Sequence, residues 1–255
     1  MAQAPATARL LGGWDPSDGS AHRRLAALLA AIDGPADADD QRGVDALGVD
    51  TLGERNRRLL ELHRDLIGTP LEARVTCAQC GADSEFVVPI DAILDLPCPE
   101  PGMLVRLGAG RRRFTFRLAR MDDLDAAGDA ASPRDVRRAI VERCRIGGDG
   151  DVPDLVIHRL AERFEALDPA ANIVVNVTCS GCEAALAASV DVAGFVARGL
   201  DRLVERLLDE VHTIAGTYGW DEARILELPA WRRRRYVDMI AARTPIQTAA
   251  AAGGR

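Results

Sequence analysis

The chain has 255 residues, 47% hydrophobic and only 4% aromatic, with a formal net charge of −7. That length suits one large domain or two small ones, with a core built mostly from Leu, Val, Ile and Ala. The acidic balance argues against general nucleic-acid binding, which leaves a basic footprint.

Residues 1–50 read as a flexible arm carrying one short helix, Ala21 to Ile32, with Leu25, Leu28, Leu29 and Ile32 at helical spacing. Met1 to Trp14 lacks the basic start and apolar run of a secretory leader, and Leu25 to Ile32 is far too short to span a bilayer. The expectation is a cytoplasmic chain without membrane partners. Thr51 is placed to cap a helix over 51–68, with Glu54 three residues on as its capping-box partner and Gly68 and Pro70 ending it.

A strand, turn and strand follow over 69–97. Leu71, Ala73 and Val75 alternate into Cys77-Ala78-Gln79-Cys80, and Ala82, Ser84, Phe86, Val88 and Ile90 alternate out. Residues 98–170 form an insertion: a hairpin turned by Gly108-Ala109-Gly110, a short helix over Met121 to Ala127, a helix opened by Pro133 and another over Val156 to Leu167. The strand–turn–strand then recurs over 171–193, with Cys179-Ser180-Gly181-Cys182 lying 102 residues after the first motif. The inward positions of both copies align at that offset, and a one-residue slip would have inverted every face. Residues 194–243 read as a helical module. Its long helix has a stripe of Phe195, Val196, Leu200, Leu203, Leu207, Val211 and Ile214, and two shorter helices follow. Residues 244–255 read as a disordered tail.

The chemistry concentrates in Cys77, Cys80, Cys179 and Cys182. Each Cys-x-x-Cys offers two thiolates at zinc-ligand spacing, and two such pairs complete a closed four-sulfur site. In a reducing compartment such pairs read as metal ligands before disulfides. The fold class expected is α+β: two Cys-x-x-Cys hairpins forming a zinc-ribbon-like core, flanked by helices. The spacing leaves open one shared ion or two, and zinc or iron. Glu183 stands where the first copy has Gly81, which predicts a less regular second turn, since Gly tolerates positive φ. A dithiol redox pair needs each motif to open a helix; here each precedes strand alternation.

Other candidates are weaker. Cys98 falls in a Pro-rich loop and Cys144 on a helix face, neither with a partner at ligand spacing. His22, His63, His158 and His212 are scattered over helices. Gly108-Ala109-Gly110-Arg111 does not continue into a nucleotide-binding loop, and no catalytic grouping stands out. The chain is therefore not read as an enzyme. The run Arg232 to Arg235 points around most of its helix, with Arg232 and Arg233 on the semi-buried side; ion pairs with Glu222, Glu227 or a partner protein, plus packing of the stems, are expected for it. Tyr218, Trp220, Trp231, Arg232, Arg233 and Tyr236 are the candidate partner-binding residues, of types enriched at interface hot spots.

Several of these stretches together resemble a family of small baseplate-hub assembly proteins and tail chaperones of contractile phages and phage-tail-like injection systems. They are Arg55 to His63, Phe114 to Leu118 with Asp122-Asp123-Leu124, the two cysteine motifs, and Tyr218-Gly219-Trp220-Asp221-Glu222 with Ile225 to Pro229 and Arg232 to Tyr236. The resemblance covers residues 51–243 and implies a structural or assembly role, with other tail or baseplate proteins as partners. It carries over no catalytic residue. A zinc-ribbon nucleic-acid module and, behind it, a dithiol redox enzyme are the alternatives.

Overall fold

The computed structural model describes residues 6–15, 17, 21, 24–25, 27–29, 50–128 and 132–243. It is mixed α and β, and the described residues hold seven strands in three small antiparallel sheets. The chain divides into two compact units, Asp33–Ala197 and Met1–Ile32 with Arg198–Arg255.

Within the unit Asp33–Ala197, helix α2 (Leu52–Leu66) starts at a capping box: Thr51 Oγ1 accepts from the Glu54 amide, and Glu54 returns the bond to the Thr51 amide. Gly68 follows it at φ +98°. Strands β1 (Leu71–Thr76) and β2 (Asp83–Val88) pair antiparallel, Val75 facing Ser84. The chain then turns into a short helix α3 (Ile90–Leu94), where the sequence pattern suggested continued strand. Next come β3 (Leu104–Ala109) and β4 (Arg112–Arg117), turned at Gly110-Arg111, two residues later than Gly108-Ala109-Gly110 predicts. Helix α4 (Met121–Ala127), helix α5 (Pro133–Cys144) and strand β5 (Arg145–Gly147) complete a three-stranded sheet, β3-β4-β5. Helix α6 (Asp154–Leu167) packs beside it, and a 3₁₀ turn (Pro169–Ala171) leads to β6 (Val174–Thr178) and β7 (Ala185–Ser189).

The sheet and helices α5 and α6 enclose one core: Val105, Phe114, Phe116, Leu118, Val141, Val156 and Leu160. Its edge is fixed by Asp123, fully buried, whose carboxylate accepts two bonds from Arg117 (2.6 and 2.8 Å), one from Arg143 Nε (3.3 Å) and one from the Arg120 amide (3.0 Å). Burial opposes that charge, but the Arg117 guanidinium and the Arg120 amide outweigh it and hold the carboxyl below its ordinary range.

Helix α2 places both cysteine hairpins. Arg57 donates to the carbonyls of Leu94 and Leu96, just past the first hairpin. Asn56 donates to the Ala170 carbonyl (2.9 Å), just ahead of the second. Asp168, in turn, accepts from the Gly53 amide (3.0 Å) in the first turn of α2, where an anion is favoured. Gly53 has to be glycine, because a Cβ there would stand 1.7 Å from Asp168 Oδ1.

In the other unit, helix α1 (Ala6–Gly13) occupies part of the stretch expected to be an arm, and Leu10 on it is wholly buried. Trp14 is buried too; its indole N–H donates to Asp201 (2.9 Å), and Arg24 pairs with that carboxylate at 2.7 Å while lying over the Trp14 ring. Helix α7 (Val192–Tyr218) runs past both ends of the stripe from Phe195 to Ile214, and its residues from Arg198 belong to this unit. Helices α8 (Glu222–Leu226) and α9 (Ala230–Ala241) follow. The expected loop over 33–50 lies almost entirely outside the described residues, as do His22 and the tail over 244–255.

Candidate metal centre

Both cysteine motifs sit at the tips of matching hairpins. In the first, the Cys77 amide bonds the Ala82 carbonyl (2.8 Å) and the Gly81 amide bonds the Cys77 carbonyl (2.9 Å). In the second, Cys179 to Ala184 (2.9 Å) and Glu183 to Cys179 (3.1 Å) repeat both bonds at the same offset. Glu183 adopts φ +62° beside Gly81 at +75°. The second turn is thus as regular as the first, contrary to the expectation from its sequence, with Glu183 held in the left-handed region that L-residues seldom occupy. Burial alternates in step in the two copies. Leu71, Ala73, Ser84 and Val88 turn inward in the first, as Ile173, Ala188, Val190 and Val192 do in the second.

The hairpins meet tip to tip. Cys77 and Cys182 sulfurs lie 3.7 Å apart, Cys80 and Cys179 sulfurs 3.6 Å apart, and all four fall within 4.8 Å of one another. Four thiolates around one ion at metal–sulfur distances of about 2.3 Å stand about 3.8 Å apart along the tetrahedron's edges. The cross-hairpin separations match that figure. All four cysteines are free thiols. Among the described residues this is the one group of three or more Cys, His, Asp or Glu side chains placed to hold a metal. Cys77 and Cys179 are buried, Cys80 and Cys182 exposed.

Contacts beyond the sulfurs align the tips. Strands β2 and β6 pack together. The Ser180 amide donates to Ser84 Oγ (3.0 Å), and Ser180 Oγ donates to the Asp83 carbonyl (3.1 Å). Gly181 lets the second tip approach: a Cβ there would lie 2.9 Å from Ala82 Cβ and 3.3 Å from Cys80 Sγ. Sequence reading missed Ser84, Ser180 and Gly181. The signal was present in the departures from the repeat, since their counterparts are Leu186, Ala78 and Gln79.

Electrostatically the cluster is primed for a cation. The amides of Cys182 and Gly181 point at the Cys179 sulfur and bring its pKa down to about 6. At Cys182 the Ala184 amide favours the thiolate, yet the neighbouring sulfurs of Cys80 and Cys179 prevail and push the pKa up to about 12. Crowded thiolates repel, so the metal-free cluster keeps protons that a bound cation displaces. The chemistry available is a closed sulfur set: it grips an ion and leaves no position for water or substrate.

The remaining candidates separate from this centre. Cys144 is fully buried in the core unit, and burial foremost, with Asp123 beside it, pushes its pKa up to about 12, which marks an inert thiol. Cys98 is exposed. His63 is buried on α2, His158 lies 3.6 Å from Glu162 on an exposed face, and His212 is exposed. None joins the sulfurs.

The candidate docking residues lie in the other unit. Tyr218 stacks on Trp220 (5.3 Å between centroids), and Tyr236 meets both edge-on (5.7 and 5.2 Å). Arg232 lies over Tyr236 and Arg224 over Trp220. Trp231 is 69% exposed. Arg233 finds another acid than those expected. It is buried, pairs with buried Glu210 at 2.8 Å rather than with Glu222 or Glu227, and donates to the Leu228 carbonyl (2.6 Å). It fastens α9 to α7 and is not a surface residue. Among the described residues no helix is long and apolar enough to cross a membrane. No family model matches the chain, and neither the curated proteins nor the solved structures contain a match to it.

Proposed function

We propose that this chain is a metal-clamped assembly protein, with zinc joining the two hairpins into a zinc-ribbon-like core. The observation that carries the reading is the four-sulfur cluster, whose cross-hairpin spacings of 3.6 and 3.7 Å suit one shared ion. Such a set is structural in character, and structural zinc in small zinc peptides contributes about 10 kcal/mol or more to folding. Iron fits four thiolates equally well. Zinc content by elemental analysis tests the choice: about one ion per chain, lost in both Cys77→Ser and Cys179→Ser, supports a shared site, whereas independent half-losses refute it.

The work of such a protein is docking, through the face bearing Tyr218, Trp220, Trp231, Arg232 and Tyr236, on other tail or baseplate proteins of a contractile injection particle. What supports the particle is the Tyr-Gly-Trp, Leu-Pro and Arg-Arg pattern of residues 218–236. Half-buried aromatics flanked by guanidinium groups suit a protein partner. Co-expression with tube, hub and baseplate proteins of such a particle, followed by affinity purification, tests it. Purification of this chain alone from that mixture refutes the docking role.

A further inference from the structure

We infer that Cys80 and Cys182 are oxidant-accessible modification sites, and that a two-electron thiol oxidant converts the cluster into two cross-hairpin disulfides, Cys77–Cys182 and Cys80–Cys179, as the metal leaves. The metal-release half rests on the metal reading above; the pairing rests on the sulfur positions alone.

Exposure and distance carry it together. Each hairpin offers one exposed cysteine, Cys80 or Cys182, and one buried cysteine, Cys77 or Cys179. The sulfur of each exposed cysteine lies 3.6 or 3.7 Å from that of a buried cysteine of the opposite hairpin. An oxidant in solution therefore meets Cys80 and Cys182 first, and a thiol across the interface stands within 3.7 Å of each. A sulfenic acid condenses with an adjacent thiol to a disulfide. The strands behind the tips, and the Ser180 bonds to Ser84 and Asp83, keep the tips together while this happens.

With hydrogen peroxide the steps balance. The exposed thiolate attacks one peroxide oxygen, the O–O bond breaks, an S–O bond forms and hydroxide leaves. The buried thiolate across the interface then attacks that sulfur; an S–S bond forms, the S–O bond breaks and a second hydroxide leaves. Four thiolates and two peroxides give two disulfides and four hydroxides, and the ion departs unchanged in charge. Because both bonds run between hairpins, oxidation exchanges a metal clamp for a covalent one, and a dithiol reductant restores the ligands.

Tryptic mapping decides the matter. No Lys or Arg lies between Arg74 and Arg106 or between Arg163 and Arg198, so each motif is released on its own peptide. The full-length protein carrying Cys98→Ser, which leaves only the two cluster thiols on the first peptide, is loaded with zinc and treated with hydrogen peroxide. Zinc release is followed with a colorimetric chelator, and non-reduced digests are read by mass spectrometry. The expected result is one zinc released per two peroxides, with the two peptides joined and fragment ions giving the stated pairs. Separate peptides each two hydrogens lighter, sulfinic or sulfonic acids without disulfide, or no reaction overturns the proposal. Should the protein take up no metal, the metal reading fails by itself, and the digest of the metal-free protein still decides the pairing. In a Cys80→Ser, Cys182→Ser variant, where only the two buried cysteines of the cluster remain, oxidation is expected to slow at least tenfold. Unchanged oxidation of a variant with native circular dichroism refutes the role of the exposed pair.

Discussion

Glu183 offers a measurement of what the second turn costs. It holds φ +62° where the matching residue of the first turn is glycine at +75°. For an L-residue that conformation costs about 1–2 kcal/mol. Glycine relieves it but adds about 0.4–1 kcal/mol of unfolded-chain entropy. Glu183→Gly should therefore stabilise the unit Asp33–Ala197 by about 1 kcal/mol. Gly81→Ala is the reciprocal: a Cβ there meets no atom within 4 Å, so only the backbone term acts, and about 1 kcal/mol is lost. Metal affinity should move the same way, up about fivefold in one and down about fivefold in the other, since the ligating conformation is what changes. The assay is chelator competition with zinc, paired with urea unfolding by far-UV circular dichroism; the three tryptophans all lie in the other unit and do not report on this one. A Glu183→Gly variant that binds zinc more weakly or unfolds earlier would show that the side chain, and not the backbone, governs this turn.

Gly181→Ala should weaken zinc binding about tenfold and leave the core sheet intact, because the added methyl group collides with Ala82 and Cys80; an unchanged chelator midpoint would refute the close approach of the tips. Arg233→Ala should destabilise its unit by about 3 kcal/mol in urea unfolding, leaving Glu210 buried and unpaired, while Arg233→Met with Glu210→Met should recover most of the loss. Asp123 has a carboxyl held below its ordinary range, so its contribution is complete above the unfolded value of about 4 and is lost as pH falls through the lower folded value. Asp123→Asn should lower stability at pH 7 by about 2 kcal/mol and flatten the acid-side decline below pH 4, read from urea midpoints against pH. Zinc uptake by the metal-free protein should release protons, measurable in weakly buffered solution, and chelator removal of zinc should become easier as pH falls.

The cysteine hairpins were readable because strand periodicity is strict: alternate residues share a face, so two copies offset by 102 residues had to present their sulfurs alike. The helix at Thr51 was readable because its cap is a local exchange of hydrogen bonds. Less was legible where distant residues decide. Strand β5 is three residues long and exists only because β4 accepts it as a neighbour. Helix α1 has eight residues, too few to hold as a helix on local preference alone, and the burial of Leu10 secures it. Arg233 looks like its three neighbours in sequence, and only the helix phase that sets it against Glu210 tells it apart. At the centre itself the ligand types were plain, whereas the interlocking of Ser84, Ser180 and Gly181 depends on which tip leans on which, a matter the pattern of one strand pair does not encode.

The core sheet β3-β4-β5 and helices α4, α5 and α6 are spelled out in the sequence between the two ligand pairs. A shared ion therefore closes a ring of roughly a hundred residues around them, comparable to a long disulfide loop, for which lost chain entropy is worth about 4–5 kcal/mol in the denatured ensemble. Stripping that ion should loosen Phe114 and Phe116, which touch no ligand, by giving their unfolded segment more room to wander.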